Sequence, residues 1–297
     1  MTMQPIIDAH HHIWRQADLP WLAGPMVPRI FGPYEPIRRD YPVEEYLDDI
    51  AGSGVVASVY VQANWPREQA VEEAEWVQAE ADRSGWPHAI VAYADLMSGD
   101  VRPTLERLAR IPLVRGIRMQ LHWHENPQYR FAPDADLADY EIFRRNFAAL
   151  ADYGLSFDLQ VFAPQMEGAA RLAADHPGTT LVLQHAGMLE DLSDRGREEW
   201  CRGMRLLSAQ PNVVSKLSGL GTFIHRNDPA HIAWVVRETA GMFGPERCLF
   251  GSNFPIEKLW TDYGALVAAH RDAVAGFPPA AQAAMLHDTA MRVYRLG

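Results

Sequence analysis

The sequence predicts an α/β fold, a single (β/α)8 barrel over residues 1–297 with long loops after its first and fourth strands. Two observations carry that expectation. Eight short apolar runs, most of them β-branched, alternate with segments of helical periodicity. The first run ends in Ile7-Asp8-Ala9-His10-His11-His12, a cluster of polar side chains where a strand meets its loop.

The strands are expected at 5–9, 55–61, 89–94, 114–119, 156–161, 180–183, 212–215 and 247–250. Continuous apolar strands between amphipathic helices describe a parallel sheet covered on its outside. A doubly wound open sheet is the rival, and a count of eight favours closure. Helices are expected at 68–84, 137–153, 165–175, 195–209, 229–243 and 262–275, with a terminal helix at 279–294 closing the barrel's outside. Gly154, Gly178, Pro211 and Gly244 punctuate the helix ends before the last four strands. The loop at 14–42 carries six prolines and two glycines, and a second loop spans 121–136. Both leave the strand ends where barrel enzymes place their chemistry, and loops of this kind serve as lids.

Composition narrows the partners. A net charge of −11 argues against nucleic acid and anionic membranes, while a locally basic pocket for a small anionic substrate stays open. Cys201 and Cys248 read as free thiols. The opening Met1-Thr2-Met3-Gln4-Pro5 has no basic leader region, and no apolar run is long enough to span a membrane. A cytoplasmic enzyme fits these features, and a homo-oligomer is compatible with them.

His10 and His12 alternate along the first strand and so share a face that looks into the barrel mouth. Two imidazoles at this spacing suit a divalent cation, a hydrogen-bonding role or a proton shuttle. His185 ends the sixth strand and Asn253 the eighth, and both are expected at the same mouth as catalytic groups. Arg118, Gln120, Gln160 and Lys216 occupy other strand ends, and with Trp14 they are candidate substrate contacts. A charge near a barrel interior is costly unless paired or functional, so Arg118 and Lys216 are either substrate clamps or ion-pair partners of Asp8 or Asp158. His122 and His124 sit in a polar loop and are expected to be solvated rather than to line the pocket. Trp14, Trp21, Trp65, Trp123 and Phe254 are candidates for an aromatic lining.

The runs from Ile7 to Trp14, Val114 to Arg118, Leu183 to Gly187, Lys216 to Gly219 and Phe250 to Pro255, in that order, resemble the amidohydrolase-2 branch of the amidohydrolase superfamily. The resemblance implies a hydrolase that opens a carboxylated lactone, of sugar-acid, muconolactone or pyrone type, by attack of water on the ring carbonyl. A lactone isomerase, a decarboxylase and a non-catalytic ligand-binding barrel remain as alternatives. The family pattern holds a metal with the first-strand histidine pair, often a fifth-strand His, and an eighth-strand Asp. Here those last two places carry Gln160 and Asn253. Two readings therefore stay open: a weakly held divalent metal such as zinc on His10 and His12, with His185 nearby, or action without a metal.

Overall fold

The computed structural model describes residues 4–297. Met1, Thr2 and Met3, part of the stretch read as lacking a leader, lie outside the described residues. Eight parallel strands form one sheet in sequence order: β1 Ile6–His11, β2 Val55–Val61, β3 Ala89–Ala92, β4 Val114–Ile117, β5 Ser156–Leu159, β6 Leu181–Leu183, β7 Val213–Leu217 and β8 Cys248–Phe250. The ring closes through the segment beyond β8. Asn253 N donates to His10 O at 2.7 Å, and His12 N donates to Phe254 O at 2.8 Å.

A helix follows each strand: α1 Val43–Ile50, α2 Ala70–Ser84, α3 Arg102–Ala109, α4 Glu141–Ala148, α5 Met166–Asp175, α6 Asp194–Ser208, α7 Pro229–Phe243 and α8 Tyr263–Val274. This is the single-domain barrel the sequence predicts. α1 and α3 have no counterpart among the expected helices; each has eight residues and buries only two or three side chains, too short a stripe to stand out in a charged segment. No helix among the described residues is long and apolar enough to cross a membrane.

The first strand does not alternate strictly. Asp8 pairs with Ser58 and His11 with Tyr60, so three steps along β1 oppose two along β2. This extra residue is a β-bulge. Below it Ile7 and Ala9 face the barrel interior. Above it His10 also faces inward: a Cβ on Gly251 would fall 2.7 Å from the His10 Cβ, so only glycine lets β8 pass here. Asp8 and His11 turn outward instead. Asp8 accepts from Ser252 N at 2.8 Å, Ser252 Oγ at 2.6 Å, and Tyr46 and Tyr263 hydroxyls at 3.0 Å each. The His11 ring stacks on Tyr46 with centroids 3.8 Å apart. Asp8 thus ties β1, β8, α1 and α8 together and fixes the bulge from behind.

The lower barrel interior is apolar. Ile7, Val59, Val91, Val182, Val214 and Leu249 pack with Ala290, Val293 and Tyr294. The last three come from the terminal helical segment, which plugs the barrel floor rather than covering its outside as expected. Periodicity reveals an apolar stripe but not the surface that receives it.

Candidate active site

The strand ends and the loops above them enclose a cavity of about 850 Å³, its mouth included. His12, Trp14, Arg118, Gln120, Gln160, His185 and Asn253 all line it. Seven of the expected site residues therefore meet in one place. His10 lies just beneath, fully buried, its ring centroid 5.1 Å from that of His12 and 4.8 Å from that of His185. Neither His10 ring nitrogen has a hydrogen-bond partner among the described residues.

Lys216 is the exception. It does not reach the cavity; its ammonium pairs with Asp158 at 2.7 Å, and both side chains are fully buried. The contact with substrate expected of it gives way to the ion-pair reading, because β7 points Lys216 into the barrel one layer below the mouth. Asp158 also accepts from Gln184 Nε2 at 2.8 Å and from the Tyr294 hydroxyl at 3.0 Å.

Arg118 behaves oppositely. Its guanidinium donates to Gln62 O and to Gln184 Oε1, its Nε has no partner, and it forms no ion pair among the described residues. Burial lowers its pKa to about 10, so it stays a cation at neutral pH.

The imidazoles are neutral. Burial, followed by the Arg118 charge, holds His185 down to about 3 and keeps His12 well below its ordinary value. Burial, followed by the Lys216 charge, does the same to His10. The His12 Nδ1 lies 2.6 Å from Val61 O. A carbonyl only accepts, so Nδ1 carries the proton and Nε2 keeps its lone pair. His185 Nδ1 lies 3.0 Å from Ser218 Oγ, and a Cβ on Gly219 would sit 2.5 Å from that same Nδ1. Glycine at 219, with φ +61°, is thus a condition of the His185 position.

Backbone strain collects here. Asn64, His185, Met188 and Asn253 all have φ between 53° and 66°, a left-handed conformation uncommon in non-glycine residues, and all four line the cavity. Asn253 is braced from behind by Glu257, a fully buried carboxyl that also accepts from Trp260 Nε1 at 2.8 Å and from Thr222 Oγ1 at 3.3 Å. Burial pushes the Glu257 pKa up to about 8.

Several lining residues escape sequence reasoning. His122, expected in solvent, is buried in the wall, and burial lowers its pKa to about 3. His124 is half-buried and accepts from Asn126 N at 2.9 Å. Arg29, Ile30 and Phe31 come from the loop after β1, Gln128 to Phe131 from the loop after β4, and Thr222 and Phe223 from the loop after β7. Gln128 Nε2 donates to Arg29 O at 3.0 Å, which joins the first two loops over the mouth. Their length and location were the only available signals. Of the aromatic candidates, Trp14 and Trp21 line this cavity, whereas Trp65, Trp123 and Phe254 do not.

The lining holds Arg29, Arg118 and Arg130 and no carboxylate, although the chain as a whole carries −11. That local balance suits an anionic or oxygen-rich ligand. It suits a dication poorly. Among the described residues no three His, Cys, Asp or Glu side chains converge in chelating geometry, and neutral amides stand at Gln160 and Asn253. The orphaned nitrogens of His10 and the free Nε2 of His12 favour a metal, and the donor set around them is incomplete.

Residues 7–296 match the family model described as Amidohydrolase. An uncharacterised protein of Sinorhizobium fredii is 34% identical over 296 residues, 98% of each chain. An L-fucono-1,5-lactonase of Burkholderia multivorans is 31% identical over 305 residues, spanning 98% of this chain and 96% of its own. The crystal structure of an amidohydrolase from Burkholderia multivorans, with zinc bound, superposes with a TM-score of 0.83 at 27% identity, covering 99% of this chain and 100% of its own.

Proposed function

The chain belongs to the amidohydrolase family, and from that premise we propose that it opens a sugar-acid lactone by adding water across the ring carbonyl. The observation that carries the reading is a neutral base and an unpaired buried cation in the lining of one cavity: His12, with its Nε2 lone pair free, and Arg118. The likeness to L-fucono-1,5-lactonases over nearly the whole chain supports a sugar lactone over a muconolactone or a pyrone.

Water attacks the carbonyl carbon as His12 Nε2 takes its proton. Val61 O, already bonded to Nδ1–H, favours the imidazolium that forms. Arg118 faces the oxyanion of the tetrahedral intermediate. The carbonyl re-forms, the bond to the ring oxygen breaks, and the imidazolium returns its proton to that oxygen, leaving a hydroxy acid. His185 and the Asn253 amide orient the ring, and His10 supports both imidazoles from below. A lactone is an activated ester, so this set of donors suffices without a further Lewis acid.

A panel of aldonolactones followed by a pH indicator tests the reading. Acid release from at least one member is expected; none at high enzyme concentration would contradict it. A second reading, lactone isomerisation, rests on the absence of any carboxylate from the cavity lining. Moving an acyl group between two hydroxyls of one substrate needs no activated water. Product analysis by NMR separates the two, since isomerisation yields a new lactone and no acid.

A further inference from the structure

Thr222, from the loop after β7, and Asn253, from the segment after β8, both line the cavity. Behind them stands one fully buried carboxyl, Glu257. It lies one turn beyond Asn253, since Glu257 N donates to Asn253 O at 3.2 Å. Gly221 makes the room. A Cβ there would fall 2.6 Å from Glu257 Oε2 and 2.5 Å from Trp260 Nε1, so only glycine admits this pair.

Four groups meet the carboxyl. Trp260 Nε1 lies 2.8 Å from Oε2, and Thr222 Oγ1 lies 3.3 Å from Oε1. The Asn253 amide and the Gly221 N–H also hydrogen-bond to it, and both favour its ionised form. The indole and the backbone N–H can only donate. An ionised carboxylate has about four acceptor sites and no donor, so it takes all four groups at once. Burial pushes its pKa up to about 8. A proton on it would point at Thr222 or Asn253, the two neighbours with an oxygen free to accept it.

The carboxyl therefore governs which way two cavity groups face. With the Thr222 proton and an Asn253 N–H turned back to Glu257, each residue is left to offer oxygen lone pairs to the cavity. The arginines elsewhere in the lining only donate, so this side supplies acceptors that they cannot. We propose that Glu257 is a positioning residue that holds Thr222 and Asn253 as acceptors and through them selects a substrate offering a hydroxyl to this side of the cavity. The inference rests on the sugar-lactone reading and deepens it: an analogue without that hydroxyl leaves polar groups unpaired and is refused.

Glu257→Gln tests the assignment because it keeps the shape and changes the polarity. Its amide oxygen can accept from Trp260 only if its NH2 faces Thr222 and Asn253, which turns their donors toward the cavity. Wild type, Glu257→Gln and Thr222→Val are titrated calorimetrically at about pH 9, where the carboxyl is ionised. The ligands are gluconate, galactonate and L-fuconate, each with its 2-deoxy and 3-deoxy forms. Wild type is expected to bind at least one acid about 10-fold more tightly than one of its deoxy forms. In Glu257→Gln that ratio should fall to about 2 or less, because the hydroxylated acid weakens and the deoxy form does not. Thr222→Val leaves the carboxyl in place and should lower the ratio in the same sense, a second reading should Glu257→Gln fail to fold. A ratio unchanged from wild type overturns the proposal. So does equal weakening of both ligands, which a merely structural carboxyl produces, and so does a wild type that binds none of the acids or does not discriminate. Lactone turnover with an unchanged ratio removes this inference and keeps the lactone reading. A lost ratio with no lactone hydrolysed does the reverse.

Discussion

Above its apolar floor the barrel interior has two polar layers built from the same inward faces, and they differ in how they treat a buried cation. In the lower layer Lys216 is matched by Asp158, which is in turn satisfied by Gln184 and Tyr294. In the upper layer Arg118 meets only a backbone carbonyl and an amide oxygen, among imidazoles and glutamines with unpartnered atoms. The lower layer has closed its own polar accounts; the upper one leaves polar atoms without partners. The difference teaches that burial of a charge does not by itself mark function. The missing counter-charge does.

Breaking the lower pair gives the largest effect expected. Lys216→Met leaves Asp158 buried without its cation and should cost about 3–5 kcal/mol of unfolding free energy, read by urea denaturation. Arg118→Met sharpens the contrast from above. It should lower kcat/KM about 10²–10³-fold on a lactone substrate while changing unfolding free energy by no more than about 2 kcal/mol. A loss of stability as large as that of Lys216→Met would erase the distinction between the layers.

Acid stability gives a smaller effect. His270, buried behind β8, has its pKa lowered to about 4, and His122 in the cavity wall to about 3, in both cases by burial. In the unfolded chain both titrate near 6.5, so below that pH the unfolded state binds more protons than the folded one. Their contribution is therefore complete above pH 6.5 and is lost as the pH falls. Each should cost about 2 kcal/mol between pH 6.5 and 5. His270→Leu should flatten the pH dependence of the urea midpoint over that range by one residue's share, and an unchanged slope would contradict the buried neutral imidazole. Smallest is Tyr294→Phe, which removes one donor to Asp158 in the barrel floor. It should destabilise by about 1 kcal/mol in a thermal melt with activity intact.

The barrel was legible because strand and helix periods repeat along the whole chain, and Val55–Val61 and Pro229–Phe243 emerge with the expected bounds. The floor plug was not, since the stripe on the terminal segment says nothing of its target. Strand ends were legible as sites: His12, His185, Arg118 and Asn253 do converge. Layer was harder. Lys216 and Arg118 look alike in sequence, and only the side chain opposite, Asp158, separates them. The β1 bulge was invisible as well, yet without it strict alternation from Ile7 would have turned His10 and His12 away from the mouth. Arg29, His122 and Tyr129 lie on loops, where no period assigns a direction.

The central claim is that His12, held by Val61 O with its Nε2 lone pair free, is the base that activates water. NMR of product formation from an aldonolactone, with wild type and His12→Phe compared at equal concentration, tests it most directly. Hydroxy-acid formation should fall about 10²–10⁴-fold, with circular dichroism and Tm showing the barrel intact. Acid formation within about threefold of wild type would contradict the claim.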